Sequence, residues 1–121
     1  MKRGGPLRPV GDTAYAKRDR DFDYMGWVKW QRCCVAVEMG SDEYCSGGFA
    51  DADHAGGRGL GVKCPDDETI PMCATHHAQR TTYRGYFDGW VADQMRTWLD
   101  YWINRTRQRW LAIKAAGPLP F

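Results

Sequence analysis

No apolar run in this sequence is long enough to cross a bilayer, so no helical membrane span is expected. The basic opening, Met1 to Pro9, has no apolar segment behind it, so no signal peptide is expected either. A cytoplasmic setting follows as the expectation, and thiols there stay reduced. Internal repeats, low-complexity tracts and an interdomain linker are all missing, and 121 residues correspond to one domain with little core to spare. Five cysteines is an odd number, which excludes complete disulfide pairing and leaves metal binding or core packing as their uses. The net charge is only +2, and its distribution says more than its size. Basic residues crowd both ends, while acids collect at 51–53, 66–68 and 88–100. Histidine is scarce, with His54, His76 and His77 the only three.

Aromatics are not scarce. Six tryptophans favour a compact core. Residues 1–18 carry Lys2, Arg3, Arg8, Lys17 and Arg18 among glycines and prolines. They read as a flexible basic arm, either phosphate-seeking or merely solubilising. The domain itself is expected over 19–121, with its core at 27–87. Helical spacing predicts a short helix between Asp19 and Arg32 with Tyr24, Trp27, Val28 and Trp30 partly buried. Val35-Ala36-Val37, Phe49 to His54 and Thr69 to Met72 read as short strands, the last at an edge because of Pro71. A helix should start near Ala74–Thr75 with His76 and His77 in its first turn. From Phe87 to Ala116 a stripe through Val91, Met95, Trp98, Leu99, Trp102, Thr106 and Trp110 predicts a long helix, stopped by Gly117-Pro118. The tryptophan stripe reads as core rather than a base-stacking platform.

The chemistry-bearing residues concentrate between Asp51 and His77, which hold every histidine and two cysteines. Cleaving a phosphodiester needs a base for water and a cation on the phosphate. Neighbours in a strand point opposite ways, so Asp53 and His54 suit different jobs, one on metal and one on water. His77, early on the following helix, can close onto the same cation. The acids Asp66, Asp67 and Glu68 read as a solvated turn rather than as ligands, with the alternative that one of them contacts the metal or orients His54. The loop Gly56 to Gly61 is no phosphate loop, since no Gly-Lys-Ser/Thr follows it.

A second constellation is Cys34 (or Cys33), Cys45, Cys73 and His76. Cys73-x-x-His76 is a metal-knuckle spacing, and tetrahedral zinc takes three thiolates and an imidazole. The alternative is a set of small buried hydrophobic cysteines. Cys64 has no obvious partner. Arg58, Lys63, Arg80 and Arg84 are the candidate phosphate contacts, against the alternative of an ordinary charged surface.

Asp53-His54, the glycine loop and Thr69-Ile70-Pro71-Met72-Cys73-x-x-His76-His77 together resemble the HNH (ββα-metal, His-Me finger) endonucleases. The resemblance is strongest to the small phage and prophage group with Ref-type recombination nucleases and YbcO-like proteins, and it covers about residues 27–87. Lys2 to Leu7 and Trp27-Val28-Lys29 add support. The resemblance implies an α+β fold with a ββα-metal core, a structural zinc knuckle and a long C-terminal helix. It implies His54 as general base, and Asp53 and His77 as ligands of a catalytic Mg²⁺ or Mn²⁺. His76 stands where the family usually has a second cysteine, and Cys73 matches directly. Where the family has its middle Asn, counting back from His77 reaches Glu68. The implied activity is DNA endonuclease, on single- or double-stranded DNA, in a phage or its bacterial host. A recombination or packaging protein is a further implied partner. The alternative is a non-catalytic zinc-stabilised nucleic-acid-binding module.

Overall fold

The computed structural model describes residues 22–56 and 64–117. The expected basic arm, and the loop residues Arg58 and Lys63, lie outside the described residues. The elements run α1 (Phe22–Val28), α2 (Cys34–Met39), β1 (Asp51–His54), a 3₁₀ turn (Asp66–Glu68), β2 (Thr69–Met72), α3 (Ala74–Thr82), a second 3₁₀ turn (Gly85–Phe87) and α4 (Ala92–Ala116). The result is a small α+β protein with a two-stranded sheet and a long C-terminal helix. Among the described residues no helix is long and apolar enough to cross a membrane.

The two strands pair antiparallel, with Asp51 opposite Met72, Ala52 opposite Pro71, Asp53 opposite Ile70 and His54 opposite Thr69. Alternation on β1 turns Asp53 inward and His54 outward, as the strand period requires. All four residues of β2 are buried instead, because all four helices pack against that strand. Pro71 is tolerated because both strands of a two-stranded sheet are edges.

Val35-Ala36-Val37, read as a strand from sequence, lies in α2. A short apolar run of this kind has no periodicity to separate strand from buried helix, so tertiary packing decides. Cys33 sits at the helix N-cap with extended backbone. Gly40 closes the other end at φ +72°, its N–H reaching the carbonyls of Ala36 and Val37, a left-handed position that favours glycine. The turn buries Cys34, Val35 and Ala36 and leaves Glu38 outside, where its carboxylate accepts from Tyr86 Oη at 2.5 Å and Trp98 Nε1 at 2.8 Å.

In α1, Tyr24 and Val28 are buried and the Tyr24 hydroxyl donates to the Thr69 carbonyl at 3.2 Å. Trp30, expected to be partly buried, is 73% exposed, because the helix stops at Val28 and the chain turns. Among the described residues its ring meets that of Phe49 edge-on, with centroids 4.6 Å apart. The long helix begins at Ala92, five residues later than Phe87, because Gly85 and Gly89 take positive φ and hold Phe87 in a separate turn. Its stripe is the expected one from Met95 onward: Met95, Leu99, Trp102, Ile103 and Thr106 are buried. Val91 falls outside it, 63% exposed at the N-cap. Trp110 continues the line onto α1, packing on Tyr24 at 5.8 Å and Trp27 at 5.3 Å. Twenty-five residues make a rod of about 37 Å, which braces the hairpin at one end and α1 at the other.

Candidate metal centre and the adjoining carboxylate–histidine site

Cys33, Cys45, Cys73 and His76 come together with all four ligand atoms within 4.8 Å of one another. The His76 Nδ1 lies 3.1 Å from Cys73 Sγ and 3.6 Å from both Cys33 Sγ and Cys45 Sγ. A tetrahedral zinc with bonds of about 2.3 Å to sulfur and 2.0 Å to nitrogen has ligand-to-ligand edges of roughly 3.5–3.8 Å, so the donor set fits such an ion. Of the adjacent pair, it is Cys33 whose sulfur joins the cluster. Cys34, the residue first favoured, is fully buried inside the first turn of α2, and burial pushes its thiol well up.

Local structure explains the assembly. Two of the cluster residues are helix N-caps, Cys33 for α2 and Cys73 for α3, so each sulfur lies beside backbone N–H groups that have no partner within the helix ladder. Cys73 Sγ accepts the His76 N–H at 3.3 Å, and Ser46 Oγ accepts that of Thr75 at 3.2 Å. Cys45 is held by a turn, its N–H on the Asp42 carbonyl at 3.0 Å. Burial raises the Cys33 thiol and, together with the neighbouring thiols, pushes Cys45 up to about 12. Burial also opposes ionisation of Cys73, but hydrogen bonds from His76 and Ser46 outweigh it and hold that thiol below its ordinary value. Burial holds His76 below the usual imidazole range, which favours the neutral, ligating form. Three thiolates in so small a volume repel one another unless a cation neutralises them. The cluster could therefore hold a structural metal such as zinc.

The hairpin also carries a second group, with Asp51 and Asp53 on one face of β1 and His54 on the other. Asp53 is 1% exposed, and Arg80 grips its carboxylate with two parallel bonds, Nε to Oδ2 and Nη2 to Oδ1, both 2.6 Å. Arg80, a candidate phosphate contact by sequence, is instead the partner that this buried carboxylate needs. His77 Nε2 lies 3.3 Å from Asp53 Oδ1, while His77 Nδ1 lies 3.1 Å from Oδ2 of Asp51. His54, on the outward side of β1 with its side chain 44% exposed, places Nε2 3.1 Å from Oδ1 of the buried Asp66.

The acid that meets His54 is thus Asp66, and Glu68 has a different task. The Glu68 side chain lies across Gly56, where an added Cβ would fall 1.8 Å from Glu68 Oε1 and 2.7 Å from its Cβ. Its carbonyl accepts the Ala55 N–H at 3.2 Å, closing the end of the hairpin. Cys64, which had no partner in the sequence reading, also serves this closure, its sulfur accepting the Gly56 N–H at 3.1 Å. Arg96 of α4 braces the same end, donating to the Ala55 carbonyl at 2.8 Å. Arg84 is exposed at the start of the second 3₁₀ turn. Sequence reasoning missed Asp51, although its two-residue offset from Asp53 puts both on one strand face.

Comparison with protein-family models, with curated proteins and with solved structures finds no match to this chain.

One consequence concerns stability. Arg80→Ala leaves the Asp53 charge buried with His77 its one remaining partner among the described residues, and the loss of a buried partner costs about 3–5 kcal/mol. Urea unfolding of the variant should show its midpoint falling accordingly; an unshifted midpoint would mean that Asp53 is solvated or neutral instead.

Proposed function

We propose that the chain is a metal-dependent DNA endonuclease of the HNH (ββα-metal) type. The observation that carries this reading is the arrangement around β1. His54 faces outward against a buried carboxylate, Asp53 faces inward, and the first turn of the next helix brings His77 to Asp53. Hairpin, helix and paired cysteine knuckle accord with the motif order that the sequence resembles.

In this reading Asp66 accepts the Nε2–H of His54, which leaves Nδ1 as the basic nitrogen. His54 removes a proton from water as the water oxygen forms its bond to phosphorus. The bond from phosphorus to the 3′ oxygen breaks, and that oxygen takes a proton from solvent. The products are 5′-phosphate and 3′-hydroxyl ends. Asp53 and His77 would hold a divalent cation, Mg²⁺ or Mn²⁺, whose chemistry is to neutralise charge on the phosphate and departing oxygen. Asp53 can do so while bonded to Arg80, because each carboxylate oxygen has a second lone pair. Arg84, Arg58 and Lys63 are the remaining candidates for the DNA backbone.

One observation favours a second reading. Arg80 already neutralises Asp53, which suits a zinc-stabilised nucleic-acid-binding module with no cation at that carboxylate. A plasmid-nicking assay separates the two. The nuclease reading expects nicks with Mg²⁺ or Mn²⁺ and none with EDTA; DNA binding without cleavage under every condition supports the module.

A further inference from the structure

We infer that Asp51 is a positioning residue for His77, and through it for the divalent cation of the proposed site. The inference rests on the proposed function for the cation's role, but its geometry is independent of that reading. The two ring nitrogens of His77 face two different carboxylates: Nδ1 meets Asp51 Oδ2 at 3.1 Å, and Nε2 lies 3.3 Å from Asp53 Oδ1. One cation cannot contact both nitrogens of one imidazole, which point away from each other. Asp51 is therefore not a third ligand on the Asp53 side. Its carboxylate accepts the Nδ1–H, selects the tautomer with a bare Nε2, and turns that lone pair toward Asp53. Carboxylates placed behind ligating histidines fix ring orientation and raise ligand basicity, and their removal costs about 10–100-fold in metal affinity or activity.

Among the described residues Asp51 has His77 as its side-chain partner. It stands two residues before Asp53 on β1, so the two carboxylates share a face and bracket the same ring from α3. Asp51 is exposed while Asp53 is buried, as expected where one carboxylate orients a ligand from the rim and the other holds the ion. Exposure also separates the function of Asp51 from stability, since an exposed strand-end carboxylate contributes little to folding.

The test uses the full chain with its structural metal and compares the wild type with Asp51→Ala and Asp51→Asn. Mn²⁺ binding is read by electron paramagnetic resonance of the free aquo ion, and nicking is titrated with Mn²⁺. Asp51→Ala should weaken Mn²⁺ binding about 10-fold or more. It should raise the Mn²⁺ concentration for half-maximal nicking by a like factor, and leave the saturated rate near the wild-type value. Asp51→Asn keeps an oxygen that accepts from Nδ1–H and should recover most of the affinity. Equal Mn²⁺ affinity in wild type and Asp51→Ala overturns the inference, as does an Asn variant as weak as the Ala variant. If the wild type binds Mn²⁺ and does not cleave, the nuclease reading fails while the role of Asp51 is still decided by the binding data. If the wild type does not bind Mn²⁺ at all, both fail together.

Discussion

Replacing His54 with alanine is expected to abolish the proposed nicking activity, by about 10²–10⁴-fold, in a protein that stays folded and keeps its cluster of Cys33, Cys45, Cys73 and His76 intact. The separation of activity from folding follows from where the side chain lies. His54 is on the outward face of β1, outside the buried core, and among the described residues its side-chain partner is the Asp66 carboxylate. Removing it therefore takes away the proposed proton acceptor and little else. Asp66 is the sharper control. Asp66→Asn keeps an oxygen for the His54 Nε2–H but loses the negative charge, so a partial loss of rate is expected, smaller than for His54→Ala. Rates measured by plasmid nicking beside circular dichroism spectra decide the matter. A fully active His54→Ala protein removes His54 from the chemistry and favours the binding-module reading.

Serine at Cys33 should have the largest effect on the fold, and serine at Cys34 a much smaller one. The four-ligand cluster draws on the start of α2, the turn at Cys45 and the start of α3. Metal binding in small domains of this kind contributes about 10–16 kcal/mol of apparent folding free energy, comparable to or greater than the whole stability of a domain this size. Cys33→Ser should therefore lower bound zinc well below one per chain and unfold much of the population. Cys34→Ser removes no ligand. It places a hydroxyl in an apolar site, which costs about 1–3 kcal/mol, and should retain one zinc per chain. Metal analysis of the two purified variants gives the comparison; zinc retained in Cys33→Ser and lost in Cys34→Ser would reverse the assignment. Chelation of the wild type should mimic Cys33→Ser.

The parts of the fold legible in the sequence are those with a strong period or a strong stop. The stripe from Met95 to Trp110 and the glycine at 117 define α4, and Thr69 to Met72 with Asp51 to His54 define the hairpin. The segment 33–39 was not legible, since Val-Ala-Val satisfies either state and only packing against β2 chooses helix. The ligand ambiguity at Cys33 and Cys34 has the same root. In a strand the two would face opposite ways, whereas in the observed helix the first is a cap and the second a core residue. Counting residues back from His77 selected Glu68, but the acids form a 3₁₀ turn of about three residues per turn. That turn sends the Asp66 carboxylate to His54 and lays Glu68 over Gly56. The role of Arg80 depends on the burial of Asp53, which no local pattern in the helix encodes.

His76 and His77 are successive residues on one turn of α3, yet one serves the thiol cluster and the other the carboxylates. Successive side chains on a helix are about 100° apart, so a phase angle assigns each histidine to its site. Arg80, three residues beyond His77, keeps nearly the same phase and meets the same carboxylate. Inserting or deleting a single residue between Cys73 and His76 would leave every amino acid of both sites present and rotate His77 and Arg80 away from Asp53. The segment 73–80 is thus constrained in length as strictly as in composition.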